Sequence, residues 1–472
     1  MKKQVIWAGL FILILGMLKC ETPSHQKSNM SKNATQQIGG TFGTVQKDTV
    51  NWVGLWKGEG QREVFIKNAI REFNFSNPDI YINFKFREEI PEFLAINSPI
   101  RDMPDALFIA NMIRQNKYDW DVILMVSSSM YQYVGDALNS PHWGHEYLVN
   151  FADVPGFEET QNADVFQNEV FRQSYDNIFL GPFIEGTYYV IYCNQDLAEK
   201  VGFEVKQFDM TIDDLIEAIK KIDAYNQANG THIAPFYENS DWITLSILFE
   251  HLFRSAINYS LDYQAPETFT KSHQIAFKRC LDAFEQMGHY RPVIESQGRN
   301  AWTESRHLVL EDKAVFYING TWMYNMWESI DSSKVHKMLP CELPVFQKIN
   351  FYNGEYKANH AVLKQSPRRE QAIKALMHLA SEDVALDWIR MAKSPTGVKV
   401  DFEQFGAGGD ANEAFVIQMI QKYGKNIGNA AAPIFGTSNT GVSVDGEGLL
   451  AILRGEKTAD DMFREYMAKG LK

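Results

Sequence analysis

Cysteine is nearly absent: there are four in 472 residues, at positions 20, 193, 280 and 341. No two stand at C-x-x-C spacing, which leaves zinc and dithiol redox chemistry without support. Cys193, Cys280 and Cys341 read as small buried apolar residues. An exported chain could also join two of them, and spacing does not say which. Three catalytic signatures are missing as well. The sequence has no G-x-x-x-x-G-K-[ST] phosphate loop, no H-E-x-x-H helix and no G-x-S-x-G turn. His142-x-x-His145 has a metal-like spacing but lies in a loop rich in Pro, Gly and Trp with no third ligand in view, so no metal and no other cofactor is expected. Basic excess is lacking too: 46 Lys and Arg face 59 Asp and Glu, for a net charge of −13. That balance argues against nucleic acid and anionic membrane surfaces as main partners. It is silent on neutral small ligands. There is no tandem repeat. Past residue 18 no stretch is long and apolar enough to span a bilayer, which takes about 20 residues.

What is present describes ordinary packed domains. Hydrophobic residues are 45% and charged residues 22%, which excludes disorder, collagen and coiled coil. At roughly 150 residues per domain the length suits three domains or two large ones. Aromatics are plentiful, with 10 Trp, 20 Tyr and 31 Phe.

The amino terminus has the form of an export signal. Lys2 and Lys3 precede an apolar run of 14 residues, Val5 to Leu18, too short for a stable span. It ends in Met17-Leu18-Lys19-Cys20. A Cys directly after such a run resembles a bacterial lipoprotein cleavage site, although Lys19 stands where a small residue is usual. Residues 1–19 are thus expected to be a signal peptide. Cys20 is expected to carry lipid, palmitate included; ordinary secretory cleavage and an uncleaved anchor are the alternatives. Residues 20–48 are polar and poor in large apolar side chains, a flexible tether that cannot offset its own ordering entropy.

Beyond residue 48 strands and helices alternate. Val50 to Trp56 reads as a strand. Phe65, Ile66, Ala69, Ile70 and Phe73 then recur at helical spacing, and Asn77-Pro78-Asp79 stops that helix. Ile80, Ile82, Phe84 and Phe86 alternate with polar residues, a half-buried strand. Strand, helix and strand in so short a span imply a parallel pair. Asp121 to Val126 suits a strand covered on both faces. Further strands are expected at 188–192, 232–236, 314–318 and 358–363. Thr211 with Asp214, and Thr458 with Asp461, have capping-box spacing. Long helices are expected over 242–257 and after Ser366-Pro367. The fold class is therefore α/β.

In open α/β sheets the ligand crevice lies beyond the carboxyl ends of the strands. There the sequence sets Trp56, Glu59 and Gln61; Ser127 to Ser129; Tyr237, Glu238 and Asn239 with Trp242; and Asn319-Gly320-Thr321-Trp322. An indole stacks on the C–H face of a sugar ring, while carboxylates and amides take its hydroxyls. Each hydrogen bond to a charged group is worth roughly 1.5–3 kcal/mol in a dry site. Any single one of these residues is equally compatible with core packing, a turn or a solvated cap. Two catalytic acids of a glycosidase are not recognisable by spacing, and nothing in the chain requires an enzyme.

Several segments, in order, resemble the extracellular solute-binding proteins of bacterial ABC importers, in the carbohydrate-binding group that includes maltose-binding protein. They are LWKGEGQREVFIKNAIREFNFSNPDIYINFKF, YDWDVILM, WGHEYLVNFADVPGF, GPFIEGTYYVIYCNQDLAEKVGF, EDKAVFYINGTW, ANHAVLKQSPRREQAIKALMHLA and LLAILRGEKTADDMF. The most telling are Tyr192-x-Asn194-x-Asp196 followed by Lys200-Val201-Gly202, and Gly320-Thr321-Trp322 after an apolar strand. Cys193 departs from the pattern, where Tyr is frequent. The resemblance implies a two-lobed, periplasmic-binding-protein-like fold with crossing strands and a ligand cleft between the lobes. It divides the chain into a first lobe at 49–183 plus 346–382 and a second at 184–345 plus 383–472. It places Trp56 and Glu59 on the first lobe's rim, Ser128 deeper, Glu185 near the hinge and Trp322 on the second lobe. The candidate ligand-binding set is Trp56, Glu59, Gln61, Ser128, Glu185, Glu238, Trp242, Asn319 and Trp322. The implied protein is a monomer outside the cytoplasm, lipid-anchored to a membrane, that passes a small molecule, a carbohydrate first of all, to permease subunits. A polyamine or a glycerol phosphoester fits the same fold, as does an adhesin or sensor lipoprotein.

Overall fold

The computed structural model describes residues 48–96, 98, 102–167, 175–239, 243–296, 307–402, 409–424, 426–428 and 444–468. The signal, Cys20 and the tether up to residue 47 lie outside them, while Asp48, expected at the end of the tether, opens the first strand. The strands are β1 (Asp48–Gly54), β2 (Ile80–Phe86), β3 (Val122–Leu124), β4 (Glu185–Asn194), β5 (Ala234–Asn239), β6 (Val293–Ser296), β7 (Ala314–Gly320), β8 (Met338–Cys341), β9 (Tyr352–Lys357), β10 (His360–Val362) and β11 (Ile427–Gly428). The helices that bear on the site are α1 (Gln61–Ser76), α2 (Ser128–Leu138), α3 (Leu245–Ala256), α4 (Met323–Asp331), α5 (Glu382–Ala392) and α6 (Ala411–Tyr423).

Two sheets form. The first has the order β10-β3-β1-β2; the second runs β11-β9-β4-β7-β5-β6, with β8 also on β4. β1 and β2 pair in parallel from Asp48↔Ile80 to Gly54↔Phe86, as the strand–helix–strand spacing predicts. α1 buries Phe65, Ile66, Ala69, Ile70 and Phe73, the five residues its periodicity selects. The capping boxes expected at Thr211 and Thr458 are present. The Thr211 hydroxyl accepts the Asp214 amide at 3.2 Å and that of Thr458 accepts the Asp461 amide at 3.1 Å.

The chain passes between the sheets three times. It does so through residues 175–184 into β4 and through Ala358 and Asn359 from β9 to β10, and a third crossing begins in residues 393–402 after α5. The third crossing lies beside the first: the Gly397 amide donates to the Phe183 carbonyl at 2.8 Å. Buried side chains gather in two clusters. One surrounds the first sheet and continues through the crossings; the other lies among the helices of the second sheet.

Several boundaries differ from the sequence reading, each for a local reason. β3 stops at Leu124, because the Met125 amide turns to the Asn359 carbonyl, 2.8 Å. The 232–236 strand extends to Asn239, so Glu238 lies inside β5 rather than past its end. The helix expected from Trp242 begins at Leu245, where Glu238 accepts the amides of Thr244 and Leu245 at 2.9 Å each. The helix expected directly after Ser366-Pro367 begins at Arg369. The resemblance places residues 383–472 in the second lobe, yet α5 lies against α1 and Trp388 sits 5.2 Å from Phe65 and 5.1 Å from Trp56. Helix α5 therefore belongs to the first sheet's core. Cys193, Cys280 and Cys341 are free and buried, and burial pushes each thiol's pKa up.

Candidate functional site

The candidate site is built where β4 and β9 of the second sheet meet the crossings. Glu185, the first residue of β4, receives the Arg62 guanidinium at 3.0 Å and the Asn359 side-chain amide. Arg62 comes from α1, Asn359 from the second crossing. Arg62 also reaches Glu59 at 3.4 Å and Ser394 of the third crossing at 3.5 Å, and lies 5.2 Å over the Trp388 ring. The buried Arg62–Glu185 pair thus ties all three crossings to α1. Removing one partner of such a buried pair strands the other charge, which is far costlier than any net gain from the pair itself.

Toward the second lobe, β4 alternates. Tyr188 faces inward, its hydroxyl 3.0 Å from that of Tyr356. Tyr189 takes the opposite face, half-buried, and meets Trp322 edge-on at 5.8 Å. Trp322 is itself half-buried and lies folded back over Gly320, where a Cβ would stand 2.1 Å from its Cζ3. Only glycine admits the indole there. Acidic groups surround this region. Burial, then Glu355, Glu185 and Asp102, raise the Tyr175 hydroxyl's pKa. Burial, then Glu355 and Glu250, do the same to Tyr189. Tyr175 follows the first sheet and Tyr189 belongs to the second, so Glu355 on β9 stands between the two sides. Lys357 pairs with Glu355 at 2.7 Å. The two named cations are therefore already matched to carboxylates, and an anionic solute would meet acids first.

The sequence-predicted residues do not all arrive here. Trp56 is 2% exposed, boxed by Trp388, Phe65 and His360 at 5.1, 6.4 and 6.0 Å. It is core rather than rim, because α5 comes back to cover it. Glu59 is half-buried against Arg62, and burial raises its pKa while Arg62 opposes the rise. Gln61 opens α1, half-buried. Ser128 is exposed in the first turn of α2, and its neighbour Ser127 caps that helix, accepting the Met130 amide at 3.0 Å. Glu238 is buried, its oxygens occupied by α3. Asn319 is buried too, donating to the Tyr317 hydroxyl at 2.9 Å and accepting from the Gly320 amide at 2.8 Å. Glu185 and Trp322 remain beside the crossing. Trp242 lies outside the described residues.

Arg62, Tyr175, Tyr189, Glu250 and Glu355 escaped the sequence reading. The signal for Tyr189 was the alternation within 185–194; the others carry none, since long-range contacts place them. His142 and His145 both turn to the Asp176 carboxylate, at 2.7 and 3.1 Å. Among the described residues no group of three or more His, Cys, Asp or Glu side chains has the geometry to hold a metal, and no helix is long and apolar enough to cross a membrane.

Residues 109–400 match the family model of the bacterial extracellular solute-binding proteins. No curated protein sequence matches significantly. Solved structures match by fold. The GacH receptor of Streptomyces glaucescens, studied unliganded and with acarbose, aligns with a TM-score of 0.60 at 12% identity, over 90% of this chain and 98% of its own. Maltose-bound MalE3 of T. maritima gives 0.58 at 18%, with the same coverage of 90% and 98%. An ABC substrate-binding protein of Listeria monocytogenes in complex with cycloalternan gives 0.59 at 15%, again over 90% and 98%. At such identities the likeness is one of fold, and the fold is the two-lobed α/β architecture expected from the sequence.

Proposed function

The chain belongs to the bacterial extracellular solute-binding proteins, and on that premise we propose that it captures a sugar or oligosaccharide and hands it to the permease of an ABC importer. Its family and fold are those of binding proteins rather than enzymes. The observation that carries the reading is the half-buried Trp322, laid over Gly320 and edge-on to Tyr189, whose own hydroxyl feels the carboxylates of Glu355 and Glu250. An aromatic face next to carboxylates suits a ring with a C–H face and hydroxyl edges. The same acidity favours a polyamine as the second reading and disfavours a phosphoester. The lobes close on the solute, as in the hinge closure of periplasmic binding proteins that serves as the general example. Glu185 acts at the hinge, Trp322 as platform.

Thermal melting with maltotriose, raffinose, xylotriose, spermidine and glycerol 3-phosphate tests the reading. A true ligand at 100 times its dissociation constant adds about 2.7 kcal/mol of stability. A shift with a saccharide, and no cleavage of it over time, is the expected result. A shift with spermidine or glycerol 3-phosphate alone overturns it. We further propose that Cys20 is the lipidated first residue of the mature chain, exported and monomeric; an unmodified Cys20 in the intact mass of membrane-extracted protein defeats that part.

A further inference from the structure

Two side chains near Tyr189 carry buried atoms without a hydrogen-bond partner. Asn353 on β9 is 0% exposed, and neither its Oδ1 nor its Nδ2 makes a hydrogen bond. The other buried asparagines of the crossing and second sheet are engaged: Asn194 with Asp312 and Leu197, Asn319 with Tyr317 and Gly320, Asn359 with Glu185. The second is Glu250 on α3, whose Oε2 is buried and unbonded. A buried polar group left unmatched is destabilising, so idle atoms of this kind beside a binding surface point to a ligand that satisfies them.

The strand register says where they point. β4 and β9 pair antiparallel, from Glu185↔Lys357 to Tyr188↔Gly354. Asn353 is the next residue of β9 beyond that ladder, as Tyr189 is of β4, so alternation puts both on the face of Thr187 and Glu355. On the other side of Tyr189 stands Gly320 of β7, with the Trp322 indole over it. Asn353, Tyr189 and the Gly320 under Trp322 thus come from three neighbouring strands, β9, β4 and β7. Glu250 acts on the Tyr189 hydroxyl. Its helix neighbours His251 and Arg254 pack on Tyr352 and Phe351, which immediately precede Asn353. Phe351 lies two residues before Asn353 and so shares its face, which puts the α3 turn carrying Glu250 and Arg254 over that face.

We propose that Asn353 and Glu250 read the hydroxyl groups of the bound solute, completing a site whose aromatic end is Trp322 and whose polar end is this carboxamide–carboxyl pair. The inference rests on the saccharide reading above. A carboxamide both donates and accepts, which matches a hydroxyl. Burial raises the Glu250 carboxyl's pKa to about 7, with Arg254 pulling it back, so this group too serves as acceptor or donor near neutral pH. The solute class that follows is a neutral saccharide with free hydroxyls beyond the stacked ring. Sugar phosphates and uronic acids are disfavoured by the Glu355 and Glu250 carboxylates.

The test separates this pair from the saccharide reading. Asn353→Leu keeps the size and removes both idle atoms; Glu250→Gln keeps the shape and removes the acid, and stands independently should leucine fit poorly. Apo melting curves and tryptophan-fluorescence titrations with maltotriose, raffinose and xylotriose are compared with wild type. Removal of idle buried polar atoms should raise the apo melting temperature of Asn353→Leu by about 2–4 °C. Each variant should bind the saccharide that wild type binds at least tenfold more weakly. Affinity equal to wild type in both variants overturns the proposal, and so does a lowered apo melting temperature in both. A wild-type protein that binds none of the three sinks the saccharide reading. The apo melting temperatures then still decide whether the two groups stand idle in the empty protein.

Discussion

Trp56 and Trp322 occupy matching places in the two lobes. Each follows an apolar strand, β1 or β7, by two residues, and each was expected at the cleft. Their fates differ. Trp56 has φ +77°, an uncommon value for a bulky residue, and its ring is driven into Phe65, Trp388 and His360 until 2% remains exposed. Trp322 turns back over Gly320 and stays half-buried beside Tyr189. A strand end fixes where the backbone leaves the sheet. Whether the next aromatic faces solute or core depends on what returns to cover it. For Trp56 that is α5, more than 300 residues later in the chain. For Trp322 the described neighbours leave part of the ring uncovered.

The largest effect that sharpens this contrast is on stability. Trp56→Ala should cost about 3–5 kcal/mol, the range for a large aromatic removed from a core. Trp322→Ala should cost clearly less, yet weaken the best-bound saccharide of the screening panel at least tenfold, about 1.4 kcal/mol. Urea unfolding of both apo variants and one titration are enough. Equal destabilisation of the two would make both tryptophans core residues and end the contrast.

Sequence carried the architecture well, since alternation and helical spacing are local. The β1–α1–β2 unit, the capping boxes and the apolar strand before Trp322 were all legible. Which candidate side chains were already occupied was not. Glu238 is held by the amides of Thr244 and Leu245 because β5 runs two residues past Tyr237, and propensity does not set strand ends that finely. Arg62 finds Glu185 across 123 positions, a pairing no spacing rule contains. Charges and aromatics could be nominated from the sequence. Their partners come from topology.

A middle-sized effect probes the Trp322 end alone. In Gly320→Ala the new Cβ would fall 2.1 Å from the indole, so the ring must move. Overpacking of this kind costs about 1–3 kcal/mol. Made on top of Trp322→Ala, the same substitution should cost little, because the colliding ring is gone. A double-mutant cycle on melting therefore returns a coupling of about 1 kcal/mol or more between the two positions. Additive behaviour would mean that the indole does not rest on Gly320 in solution.

The smallest effect probes the Trp56 end through pH. His360 meets Trp52 and Trp56 edge-on at 5.2 and 6.0 Å, and its Nε2 has no partner. Burial holds its pKa down at about 3. The unfolded chain, with a histidine near 6.5, then binds a proton that the folded chain refuses. Stability from this group is complete above pH 6.5 and declines as pH falls from there toward 3. His251 and Glu250 titrate beside the other lobe's site, and with opposite signs. His251, also held at about 3, adds to the acid decline. Glu250, raised to about 7, favours the folded state as pH falls from 7 toward 4.5. The whole protein's pH profile therefore mixes both regions, and only a difference between proteins isolates one. Replacing His360 with Phe keeps an aromatic against the two tryptophans and removes the titration. Between pH 7.5 and 5.5 this variant should lose about 1 kcal/mol less than wild type. Parallel pH profiles for the two proteins would show that His360 reaches solvent, and that the wall around Trp56 opens in a way the wall around Trp322 was thought to do alone.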